Sequence, residues 1–188
     1  MSAGSSPFDR FICIPAVEAS AMTSRMLSRD DLEQRVVDFL ATEGMCVLAT
    51  CSMNVPRASA VEFFPAGTTL YILTEGGRKV ENISENPAVS VAIHTQFIGW
   101  EHIKGIQLTG IAEIGRYGSA IFSEGEAAYR RRKGQDARSI PEELYAIRIT
   151  PVRIEFLDMT RRAEGLSPKQ EIEYPVDAGR AGVCRVGF

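Results

Sequence analysis

Apolar positions change period several times along the chain, and each change marks an element. Residues 1–27 mix serine, alanine, proline and isolated apolar residues without a period. This predicts a flexible N-terminal arm, or sequence upstream of a start at Met26. From Ser28 the pattern turns helical: Leu32, Val36, Val37, Phe39 and Leu40 form a stripe, Ser28 and Asp31 make a capping arrangement, and Gly44 follows as a stop. Met45 to Cys51 is a continuous apolar run of strand length. After the turn-like Ser52 to Pro56, Arg57 to Phe64 resumes extended form, so the two read as a hairpin. A turn at Pro65-Ala66-Gly67 leads into Thr69 to Thr74, whose Leu70, Tyr71, Ile72 and Leu73 suit a third strand buried on both sides.

Gly76-Gly77 then breaks the chain, and Arg78 to Glu85 carries Val80 and Ile83 three apart, as on a short helix closed by Asn86-Pro87. Ala88 to Thr95 and Ile103 to Ile114 alternate as strands, with Gly110 marking a bend. Ser119 to Lys133 reads as a helix with Ile121, Phe122 and Tyr129 inward. Leu144 to Thr150 and Val152 to Leu157 read as an extended pair around Pro151, and the chain from Arg161 as mostly irregular. Connections this short exclude repeated parallel crossovers and favour an antiparallel barrel with helices at its ends.

Composition narrows the function classes. A chain of 188 residues, 45% hydrophobic, can bury the core of one domain. Its 21 Lys and Arg against 24 Asp and Glu give a net charge of -3, which creates no general field for polyanions, so nucleic acid is not an expected partner. No apolar stretch is long enough for a bilayer and no leader pattern opens the chain, so the expectation is a soluble cytoplasmic protein without membrane contact. The basic run Arg130 to Lys133 sits where a helix ends, the position that the helix dipole favours for cations.

Cys13, Cys46, Cys51 and Cys184 form no CxxC pair, and His94 and His102 are the two histidines, so no zinc site is expected. Cys46 and Cys51, five apart in a strand, face opposite sides and read as free, half-buried thiols. His94 and His102 read as hydrogen-bonded structural histidines, and Trp100 as a packing anchor. No Ser-His-Asp, Cys-His or paired-carboxylate arrangement points to hydrolysis, and the catalytic residues are left unassigned.

Leu73-Thr74-Glu75-Gly76-Gly77-Arg78-Lys79 carries the chemistry, because it puts two cations into the first turn of a helix, which already begins positive. A bound phosphate resolves that conflict: the glycines turn the backbone towards it, Arg78 can clamp it as a fork and Lys79 adds a point charge. The bland alternative is a Gly-Gly turn followed by solvated basic residues. The segment is neither a Walker loop nor a GxGxxG fingerprint.

The order Thr74, Arg78-Lys79, Asn82, Asn86-Pro87, preceded by Val55 to Val61 and followed by Gly105 to Glu113, resembles the pyridoxamine 5'-phosphate oxidase-like superfamily from about Asp30 to Asp158. The resemblance implies a mainly β fold, a six-stranded antiparallel Greek-key split β-barrel over residues 28–160, with residues 161–188 as a C-terminal tail. It implies FMN as cofactor, met by Arg57, Ala58, Ser59, Ala60, Leu73, Thr74, Arg78, Lys79 and Gln107. It also implies a homodimer in which the strand around Ile103 to Ile114 lies at the subunit contact. Gln107 and Thr109 equally suit plain solvent-facing alternation. The chain lacks the Arg-Gln pair near Gly105 and the Arg-x-His ending of true pyridoxamine phosphate oxidases, which argues against vitamin synthesis. The function implied is therefore an FMN-dependent oxidoreductase acting on an unassigned small molecule, with a small molecule or nicotinamide supplying electrons. The alternatives are a non-enzymatic flavin carrier or electron-transfer module, or a split barrel that binds haem or a deazaflavin.

Overall fold

Ser28 accepts a hydrogen bond from the Asp31 backbone N–H and so starts helix α1 (Arg29–Thr42), whose Leu32, Val36, Phe39 and Leu40 are buried. The structure, a computed structural model, describes residues 24–175. Residues 1–23 of the expected arm over 1–27, Cys13, Cys184 and the end of the expected tail lie outside the described residues, while Arg25 bridges Leu166. After α1 come β1 (Met45–Ser52), β2 (Val55–Glu62), β3 (Phe64–Ala66), β4 (Thr69–Thr74), α2 (Arg78–Glu85), β5 (Ala88–His94) and β6 (Lys104–Arg116). Then follow α3 (Ala120–Lys133), β7 (Tyr145–Asp158) and β8 (Lys169–Glu173). Among the described residues no helix is long and apolar enough to cross a membrane.

All strand pairs are antiparallel, in the order β2-β1-β5-β6-β7-β4-β3 with β8 on β7. The first half of β7 pairs with β4 and the second half with β8, so β7 divides the sheet into the two lobes of a split barrel. Directly opposed residues share a face, and the register sorts the sheet into rows. Ser59, Leu48, Val91, Leu108, Ile154 and Ile172 form one row, and all but Ser59 are buried. The next row, Ala60, Val47, Ala92, Gln107 and Glu155, faces outward. Phe39 of α1 meets Phe156 of β7 with ring centroids 5.5 Å apart, closing one end of the core.

The antiparallel barrel stands, with eight strands rather than six. Pro65 and Ala66, expected in a turn, form the short β3, and the reversal falls on Gly67 at φ 62°. The expected extended pair is one strand, β7, whose register with β6 shifts between Thr109 and Gly110, opposite Pro151. A Cβ at Gly110 would lie 2.7 Å from the Thr150 carbonyl oxygen, so the bend requires glycine. The chain beyond Arg161 is also more ordered than expected. Lys169–Glu173 is a strand, Leu166 and Gln170 are buried, and Gln170 Oε1 accepts from the Leu27 backbone N–H at 2.8 Å. Such pairing is invisible to periodicity because five residues carry too little pattern.

Candidate functional site

The turn ahead of α2 is built from two glycines in left-handed backbone, Gly76 at φ 112° and Gly77 at φ 81°. Gly77 is the N-cap and supplies no side-chain acceptor, whereas α1 is capped by Ser28 and α3 by Ser119. The N–H that those serines cap has its α2 counterpart in Val80, which turns instead to the Gly77 carbonyl at 2.9 Å, so no side chain covers the start of α2. Lys79 folds back over the turn and donates to the Gly76 carbonyl at 2.8 Å, while the Gly76 N–H reaches Thr74 Oγ1 at 3.4 Å. Thr74, Gly76 and Lys79 therefore form one local cluster. Arg78 points the other way: its side chain is 72% exposed and pairs with Glu81 at 3.1 Å.

Two asparagines fix α2 on the sheet. Asn82 Nδ2 donates to Thr50 Oγ1 at 3.0 Å, and Asn86 Nδ2 donates to the Cys51 carbonyl at 3.0 Å. Arg57 lies directly opposite Thr50 in the register and Ser59 opposite Leu48, so both share the face that carries α2. The structure thus brings Arg57, Ser59, Thr74 and Lys79 to one side of the sheet. Ala58, Ala60 and Gln107 belong to the outer face, and Gln107 is three strands in from the β2 edge. At ~4.8 Å per strand that is ~14 Å. Leu73, opposite Ala146, is half-buried in β4 beside the turn.

Gln107 lines an open cavity of about 380 Å³ on the outer face with His94, Gly105, Glu155 and Lys169. His94 is exposed, its Nδ1 2.8 Å from the Thr95 carbonyl oxygen. Trp100 departs from the expected packing anchor: it is 74% exposed and meets Phe97 edge-on at 6.0 Å. The basic run at the end of α3 acts within the fold. Arg132 donates to the carbonyls of Phe63 and Glu43, Lys133 pairs with Glu62 at 2.7 Å, and Arg130 pairs with Glu126. Cys46 is buried, and desolvation pushes its thiol up to about 12, which disfavours the reactive thiolate.

Thr50 is a residue of this region to which the sequence assigned no role, and Asn86, expected as a helix stop, also ties α2 to β1. The available signal was a polar residue inside the apolar run Met45 to Cys51: a buried hydroxyl needs a partner, and Asn82 supplies it.

Comparison with known proteins bears on the family and the fold. The family model described as pyridoxamine 5'-phosphate oxidase matches residues 32–158. General Stress Protein 26 from Bacillus anthracis str. Sterne is 18% identical, with a TM-score of 0.54 over 76% of this chain and 98% of that one. HutZ, the heme storage protein from Vibrio cholerae, is 20% identical, with a TM-score of 0.53 over 64% and 89%. A heme binding protein from Mycobacterium smegmatis is 17% identical, with a TM-score of 0.58 over 78% of this chain and 60% of that one. At these identities the likeness is one of fold. Among curated proteins no sequence matches the chain. A family match over two lobes of the barrel and the α2 turn decides the assignment: this chain belongs to the pyridoxamine 5'-phosphate oxidase family, with its split-barrel fold.

Proposed function

We propose that the protein is an FMN-binding oxidoreductase, active as a homodimer in the cytoplasm, that takes electrons from a nicotinamide or another small molecule. The observation that carries this reading is the uncapped start of α2 at Gly77, with Lys79 folded over it. A glycine turn without a covering side-chain cap, a positive helix end and an ammonium group suit a phosphate monoester. Arg78 would join them by leaving Glu81, an exposed pair whose loss costs little. Arg57 and Ser59 lie on the same side to meet the rest of the cofactor.

The divided set of residues supports the homodimer reading. Gln107 faces away from Arg57 and Ser59, so one flavin meets both groups most simply when a second copy presents its outer face. That face carries small residues, Ala49, Ala58, Ala60, Ser90 and Ala92, which let another surface approach closely. Bound flavin would supply the redox chemistry, and the chain's own part is to hold the phosphate, orient the ring and leave one face open.

The purified protein is expected to be yellow, and the double variant Arg78→Ala/Lys79→Ala to lose its flavin while remaining folded. Full occupancy in the double variant would refute the phosphate assignment. NADH and NADPH turnover assays then separate an enzyme from a flavin carrier.

A second reading is haem binding. It is favoured by His94 at the rim of the outer-face cavity and by the names of the heme storage and heme binding relatives. Hemin titration tests it: a Soret band lost in His94→Ala but kept in His102→Ala supports haem, and no Soret band removes it.

A further inference from the structure

A second cavity, of about 580 Å³, opens between α1, the β5–β6 connection and the turn after β7. It lies at the end of β1 and β5 away from α2: Phe39 and Thr42 just precede β1, and Thr95 and Gln96 just follow β5, whereas α2 is tied to Thr50 and Cys51. Its size is that of a small-molecule site. Phe39, Phe156 and Ile98 supply its apolar lining, and Arg35, Asp38, Lys104, Asp158 and Arg161 its charges, with polar residues such as Gln96 and Thr160 between them.

Most of those charges are already matched. Asp158 is buried and takes Lys104 at 3.5 Å, Arg161 at 3.3 Å and the Thr160 hydroxyl at 2.6 Å. Arg161 also reaches Glu164 at 2.5 Å, and Asp38 accepts from Gln34 at 2.9 Å. Arg35 is the exception. Its Nη1 is buried and has no hydrogen-bond partner among the described residues. A desolvated guanidinium nitrogen without an acceptor is costly, and a carboxylate is its best geometric match. Counting Arg35, Lys104 and Arg161 against Asp38 and Asp158, these side chains of the lining leave one positive charge in excess. That balance suits a single negative charge better than a phosphate dianion.

We propose that this cavity binds a small monocarboxylate with an apolar body, the carboxylate on Arg35 and the body against Phe39 and Phe156. This site does not depend on the flavin reading, since it shares none of the residues assigned there.

The test uses the full chain, with benzoate as the probe and benzamide as its neutral counterpart, followed by isothermal titration and by backbone amide NMR. Benzoate is expected to bind saturably at concentrations below about 10 mM and to shift the amides of Thr95, Ile98 and Thr160. Benzamide should bind at least about tenfold more weakly, the value of one charge-assisted hydrogen bond. Arg35→Gln should lose about the same factor for benzoate while leaving benzamide unchanged. Equal binding of the two probes, shifts confined to other regions, or no saturation by benzoate would each overturn the proposal. The comparison of probes on the unaltered protein stands even if Arg35→Gln fails to fold.

Discussion

Asn82 on α2 donates to Thr50 Oγ1 on β1 at 3.0 Å, joining positions 32 apart in the chain and seating the helix that opens with Arg78 and Lys79. Thr50 is 3% exposed, so its hydroxyl has no ready substitute partner. Asn82→Ala is expected to cost about 1–2 kcal/mol in urea unfolding. Thr50→Val should cost less, because the half-exposed Asn82 can turn to water. The double variant should be less destabilised than the sum of the singles, and simple additivity would show that the bond carries no coupling.

Gly110 offers a steric test of the bend in β6. An added methyl would meet the Thr150 carbonyl oxygen at 2.7 Å and the Ile149 and Leu108 side chains at 3.0 Å. Gly110→Ala should destabilise by more than about 2 kcal/mol. Gly118→Ala, at φ 82° with open space around it, should cost only about 1 kcal/mol. Calorimetric melting of the two variants side by side checks the order.

Asp158 sets an acid limit. Burial alone would raise its carboxyl, but the Thr160 hydroxyl and Lys104 outweigh that and hold it below the ordinary aspartate range. A carboxyl lowered in the fold adds stability above its unfolded value, and this is lost as pH falls through the folded one. Stability should therefore decline below about pH 4. In Asp158→Asn that part of the acid slope should be missing, as read from urea midpoints across the acid range, and an unchanged slope would assign it to other groups.

The two thiols in β1 should differ in reactivity. Cys46 is buried with its thiol pushed up to about 12, whereas Cys51 is half-exposed. Brief alkylation at about pH 8 followed by peptide mapping should label Cys51 and leave Cys46 unmodified until the protein is unfolded. Equal labelling would place Cys46 outside the core.

Periodicity made α1, α3, the β1–β2 hairpin and the long strands legible, because each buries a stripe or a face and so writes a repeat into the chain. It did not reveal β8 or β3, which are five and three residues long and owe their form to partners already in place. It also left β7 in two pieces, since a proline inside a strand reads as a break, whereas the bulge at Thr109 and Gly110 absorbs it.

The same division holds for the candidate site. The chain by itself determined a glycine turn opening a helix with two cations, and the apolar alternation of a barrel, because both depend on neighbours within a few residues. Tertiary structure decided that Lys79 covers the turn while Arg78 leaves it for Glu81. It also put Arg57 and Ser59 on the face opposite Gln107, and left Nη1 of the half-buried Arg35 without an acceptor among the described residues. Those outcomes depend on strand register and on which distant groups share a cavity, and no local spacing encodes either.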